Sequence, residues 1–167
     1  MKAMVVYDSV YGNTEKIAAA MAAALAAALG SPDNVKLVRA SDARPEQLAG
    51  LTLLIAGSPT QKFRPIPPIT AFLKSIPKDG LQGVKVAAFD TRFTQSNIDK
   101  VRILAFFVNI FGYAAKPIAD RLQSKGGVLA VPPEGFYVAD TEGPLLEGEL
   151  ERAANWARQI VAALSGK

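Results

Sequence analysis

The chain has 167 residues, 50% of them hydrophobic and 20% charged, a size and balance that suit one domain with one core and exclude a largely disordered chain. It contains neither cysteine nor histidine, which excludes disulfides, thiolate nucleophiles, Ser-His-Asp triads, Cys/His zinc sites and iron-sulfur clusters. Nineteen Lys and Arg against fifteen Asp and Glu leave a formal charge of +4, spread without a basic run, so nucleic-acid binding is not expected and any partner is expected to be acidic.

Met1-Lys2 leads straight into a short apolar run with no signal-peptide pattern, so a cytoplasmic location is expected. That run, Lys2 to Tyr7, ends at Asp8-Ser9 and suits a buried strand. Glu15 to Leu29 is Ala-rich, places Ile17, Met21, Leu25 and Leu29 at helical spacing, and stops at Gly30-Ser31-Pro32. Val35 to Val38 predicts a second strand, Pro45 to Leu48 a brief helical turn, and Leu51 to Ala56 a third strand of uninterrupted apolar type. Pro67 to Ile76 predicts a helix with Pro in its first turn, and Val84 to Phe89 a fourth strand.

Asn97 to Ser124 holds a long helical pattern with a break expected near Gly112 or Pro117. Its apolar part, Ile103 to Ala115, is interrupted by Asn109 and Gly112 and is too short for a bilayer of about 30 Å, so no membrane insertion is expected. A buried helix is the expectation there. Because Phe106, Phe107, Ile110, Phe111 and Tyr113 exceed one buried face, the alternative is a surface for a partner or a second copy, with the chain a monomer or weak homodimer. Val128 to Val131 predicts the fifth strand, Phe136-Tyr137-Val138 a short extra one, and Leu146 to Leu164 an amphipathic helix carrying Trp156. This alternation predicts an α/β fold: a doubly wound three-layer sandwich around a five-stranded parallel sheet, in one domain without repeats or linkers.

In such a sheet a ligand belongs at the carboxyl ends of the strands, near the topological switch point. The segment after the first strand, Asp8-Ser9-Val10-Tyr11-Gly12-Asn13-Thr14, brings hydroxyls, an amide and a glycine to a helix N-terminus and reads as a phosphate cradle. In the alternative reading Ser9 or Asn13 only caps the helix and Gly12 serves a tight turn. Neither a P-loop nor a G-x-G-x-x-G fingerprint is present, so a monophosphate fits better than a triphosphate or a dinucleotide. After the third strand, Gly57-Ser58-Pro59-Thr60-Gln61-Lys62-Phe63-Arg64-Pro65 reads as a rigid loop whose polar groups suit a planar ring beside Phe63. After the fourth, Phe89-Asp90-Thr91-Arg92-Phe93 again sets polar groups beside an aromatic.

Ser9-Val10-Tyr11-Gly12-Asn13-Thr14 resembles the phosphate loop of the flavodoxin family, with Tyr11 where many members have threonine. Gly57-Ser58-Pro59-Thr60 and Phe89-Asp90-Thr91-Arg92 resemble the family's second and third flavin loops, and Gly143-Pro144-Leu145 through Trp156 resembles its last helix. The resemblance covers essentially the whole chain. It implies non-covalently bound flavin mononucleotide (FMN) and electron transfer with redox partner proteins. By position it implies phosphate contacts from Ser9, Val10, Tyr11, Gly12, Asn13 and Thr14, and ring contacts from Ser58, Pro59, Thr60, Gln61 and Phe63 on one side and Asp90, Thr91, Arg92 and Phe93 on the other. Trp156 lies in the terminal helix and is expected in the core, leaving Phe63 and Phe93 to replace the aromatics that usually stack on the flavin. Arg92 has two readings: a cation that stabilises reduced flavin, or a surface partner of Asp90 or Asp99. The alternatives to an electron carrier are an FMN-dependent NAD(P)H:quinone oxidoreductase of the tryptophan-repressor-binding-protein type and a flavin-free binding module.

Overall fold

In β1 (Ala3–Tyr7) all five side chains are buried, because the strand is central and both its faces are covered. These positions belong to a computed structural model that describes residues 1–94 and 113–166. The chain continues through α1 (Asn13–Ala28), β2 (Val35–Arg39), β3 (Leu53–Gln61), the short β4 (Arg64–Pro65), α2 (Pro67–Ser75) and β5 (Lys85–Phe93). It ends with α3 (Ala115–Ser124), β6 (Val128–Leu129), β7 (Glu134–Val138) and α4 (Glu149–Leu164). The strand order is β2-β1-β3-β5-β6, and the pairs along it are parallel.

Because side chains alternate across a strand, the continuous apolar runs sort by parity into two cores. Met4 and Val6, Leu54 and Ala56, and Val86 and Ala88 face α2 and α3, where they meet Ile69, Phe72, Ile76, Ile118 and Leu122. Ala3 and Val5, Leu53 and Ile55, and Ala87 and Phe89 face α1 and α4, where they meet Ile17, Met21, Leu25, Trp156 and Ile160. Trp156 is therefore a core residue, its ring edge-on to Phe136, which is in turn edge-on to Phe89, both at 6.1 Å. Gly57 pairs with Phe89 across the sheet, and a Cβ at Gly57 would stand 2.0 Å from the Phe89 ring, so only glycine admits that ring.

The strands differ from expectation at their carboxyl ends. β3 runs on to Gln61 and β5 to Phe93, so two segments that read as loops are extended strand. Each extension has a partner: Ser58 and Pro59 pair with Asp90 and Thr91, and residues Phe89 to Phe93 pair with Glu134 to Val138. The expected fifth strand, Val128 to Val131, is shorter, and with β7 it forms one interrupted edge along β5. Pro132 and Pro133, which have no N–H to donate, stand at the interruption. β4 folds back antiparallel on β3, so the sheet has five parallel strands plus two more, β4 and β7. α3 places Pro117 in its first turn, where no intrahelical N–H bond is lost. The expected helical pattern before it, and the apolar faces of Phe106 to Phe111, lie outside the described residues.

Candidate functional site

β2 and β3 flank β1 on opposite sides, so the chain changes winding direction at β1 and leaves a crevice at the strands' carboxyl ends. A cavity of about 490 Å³ lies there. Its first wall is the turn from β1 into α1. Gly12 takes a left-handed φ of 84°, a conformation that costs glycine nothing, and donates its N–H to Ser9 Oγ at 2.9 Å. Asp8 braces the turn from behind: its carboxylate accepts the Ser9 N–H at 2.7 Å and Arg39 Nε at 3.0 Å, while Arg39 Nη2 donates to the Ser9 carbonyl.

Neither expected cap forms. No side chain caps α1, because Ser9 is engaged within the turn and Asn13 sends its amide to the Glu142 carbonyl at 3.0 Å. The first-turn N–H groups of α1 therefore keep their capacity for an external acceptor at the positive end of the helix dipole. Thr14, almost wholly buried, shares a hydrogen bond with Thr91 across 2.8 Å, which ties the helix start to β5. Only one of those two hydroxyls donates in that bond, so the other hydrogen remains for a further acceptor.

The second wall is a hairpin. Gln61 pairs with Arg64, and Lys62 and Phe63 form the two-residue tip with φ of 47° and 66°. Two successive positive φ values match the twist of a tight hairpin but are usually supplied by Asn or Gly. Ser58 lies behind this wall: its hydroxyl accepts the Ile66 N–H and donates to the Pro59 carbonyl, tying the hairpin base to the start of α2.

The third wall comes from β5 and the start of α3. Asp90 has no exposure and receives Arg92 Nε at 2.5 Å, Arg92 Nη2 at 2.8 Å and the Ala115 N–H at 2.8 Å. The Arg92 guanidinium lies 3.8 Å over the Tyr113 ring and crosses Gly135, where a Cβ would stand 2.2 Å from Nε. Thr60 Oγ1 accepts the Ala114 N–H at 3.0 Å, so β3 and β5 together seat the start of α3. Burial raises the Asp90 carboxyl from its ordinary value, against the pull of Arg92, the Ala115 N–H and Thr60. The Arg92–Asp90 pairing named in the sequence reading thus exists, but inside the protein rather than at its surface.

Ser9, Val10, Tyr11, Asn13 and Thr14 line the cavity, as do Pro59, Thr60, Gln61 and Phe63, and Thr91, Arg92 and Phe93. Gly12, Ser58 and Asp90 do not reach its surface; they shape the turn, the hairpin base and the Arg92 anchor. Lys62, Tyr113, Val138 and Thr141 line it as well and were not expected. Lys62 lay within a segment already singled out. Thr141 arrives because the chain after β7 doubles back, with Ala139 donating to the Pro144 carbonyl and Leu146 to that of Tyr137. No local pattern announces that return.

The flavodoxin family model matches residues 5–152. No curated protein matches the chain in sequence. Among solved structures, a flavodoxin from the domain Archaea has 20% identity and a TM-score of 0.71, with 99% of each chain covered. Oxidised flavodoxin 2 from Bacillus cereus has 22% identity and a TM-score of 0.69, covering 96% of this chain and 98% of the other. A WrbA-like flavodoxin from Agrobacterium tumefaciens has 20% identity and a TM-score of 0.65, with 99% of each covered. At such identities the structures speak for the fold, whereas the family model reads the residues themselves over most of the length. With the switch-point cavity opening on the uncapped start of its first helix, the chain belongs to the flavodoxin family.

Proposed function

We propose that the chain binds FMN without a covalent bond and carries electrons between redox partner proteins. The observation that carries this reading is the joining, in one cavity, of an uncapped helix N-terminus with a wall of aromatic rings. The residues fit the group. The first-turn N–H groups of α1 and the hydroxyls of Ser9 and Thr14 suit a dianionic phosphate. Tyr11, Phe63, Phe93 and Tyr113 provide flat apolar surface for a ring, and Pro59, Thr60, Gln61 and Thr91 add backbone and side-chain polar groups beside it. FMN supplies one- and two-electron chemistry when bound. The chain's own part is to seat the phosphate, hold the ring between hairpin and β5, and limit water around it.

Among the described residues no helix is long and apolar enough to cross a membrane. We place the protein in the cytoplasm, as a monomer or weak homodimer. Its formal charge of +4 favours an acidic surface on the redox partner.

An anaerobic titration with FMN, followed by stepwise reduction with the visible spectrum recorded, tests the proposal. Tight binding with accumulation of a one-electron stage is the expected result. Direct two-electron reduction by NAD(P)H with quinone turnover would replace the carrier with the oxidoreductase reading, and absence of binding would overturn both.

A further inference from the structure

We propose that Lys62 sets the redox bias of this cavity: among the described lining residues its side chain brings the positive charge that no carboxylate balances, and it favours two-electron-reduced, anionic FMN over the oxidised form. The inference builds on the FMN-binding reading above. Among the described residues that line the cavity, the charged ones are Lys62 and Arg92, and none is a carboxylate. These two cations are not equivalent. The Arg92 charge is matched at 2.5 and 2.8 Å by the buried Asp90 carboxylate, so the pair adds a dipole and little net charge. Lys62 forms no salt bridge with any described residue.

Its placement is costly. Lys62 holds φ at 47° at a hairpin tip where Asn or Gly would sit without strain, so turn stability alone does not select lysine there. The same tip carries Phe63, so the backbone that delivers an aromatic surface to the cavity delivers a cation beside it. Reduction by two electrons with uptake of one proton gives the flavin ring one additional negative charge. A nearby ammonium stabilises that charge, and because Lys62 is exposed, salt screens the effect.

The test measures dissociation constants for oxidised FMN and for dithionite-reduced FMN under anaerobic conditions, and takes their ratio. Lys62→Gln is expected to lower the ratio of the oxidised to the reduced constant about fivefold, or about 20 mV for a two-electron couple. Lys62→Glu should lower it further, Lys62→Arg should restore it, and added salt should shrink the gap between wild type and K62Q. A structural role for the side chain would not order the variants by charge. If the Arg, Gln and Glu variants give one ratio while FMN still binds, the inference is overturned and the FMN-binding reading stands. If the wild-type protein binds FMN in neither state, both fall.

Discussion

Asp90 meets no water, and a carboxylate in that position keeps its charge only against an opposite charge and hydrogen-bond donors. Arg92 and the Ala115 N–H supply both. Removing one partner of such a pair is far worse than removing both, because the survivor is left buried and charged. Arg92→Met is therefore expected to cost about 3–5 kcal/mol in urea unfolding, with most of that recovered in the Asp90→Asn/Arg92→Met double variant. Equal losses in the two would show that the pair is not held as described. Tyr7 gives a pH signature. Burial first, and then its hydrogen bond to Glu15 at 3.0 Å, raise its phenol above the ordinary 10.0. The neutral phenol is thus favoured by folding. Its stabilisation is complete below about pH 10 and is lost as pH rises through the raised value. Tyr7→Phe should cost about 1–2 kcal/mol at pH 8 and progressively less as pH rises through the raised value, by denaturant unfolding at each pH.

Between elements, β3 and β5 fit closely where the Phe89 ring fills the space left by Gly57. Gly57→Ala would drive a buried ring away from Phe136, and is expected to destabilise by about 1–3 kcal/mol as overpacking does, seen as a lowered urea midpoint. The apolar runs at Met4–Val6, Leu53–Ala56 and Val86–Phe89 were legible as strands, since burial on both faces leaves an uninterrupted pattern. Their continuations were not. In Ser58-Pro59-Thr60 and Asp90-Thr91-Arg92 the ladder pairing persists while Ser58, Asp90 and Thr91 are buried polar residues held by hydrogen bonds, so no apolar pattern marks the strand. Hydropathy follows side-chain chemistry while strand follows pairing, and at these buried polar ends the two separate. Gly57 read as loop punctuation for the same reason; its role, making room for Phe89, depends on a residue 32 positions away.

At the scale of the whole molecule, the cavity brings together three segments that each had a local sequence signal as a site, and adds Tyr113 ahead of α3 and Val138 and Thr141 at and beyond the end of β7, which had none. Val138 and Thr141 enter through a chain reversal at the far edge of the sheet, and Tyr113 through the seating of α3 on Thr60 and Asp90. A ligand held by all of these segments should stabilise the protein as a unit: FMN at about a hundred times its dissociation constant adds about 2.7 kcal/mol. The expected rise in Tm is about 5–10 °C for a chain of this size, read by thermal unfolding with and without FMN. The hydrogen bonds that frame the cradle have a kinetic consequence. Thr14 meets Thr91 across 77 residues and Asn13 meets Glu142 across 129, so the seat for a phosphate does not exist until distant parts of the chain have met. Such non-local closure comes late and slowly. Cofactor capture is accordingly expected to follow folding rather than to nucleate it: in stopped-flow measurements, rising FMN should leave the refolding rate unchanged and slow only the unfolding arm.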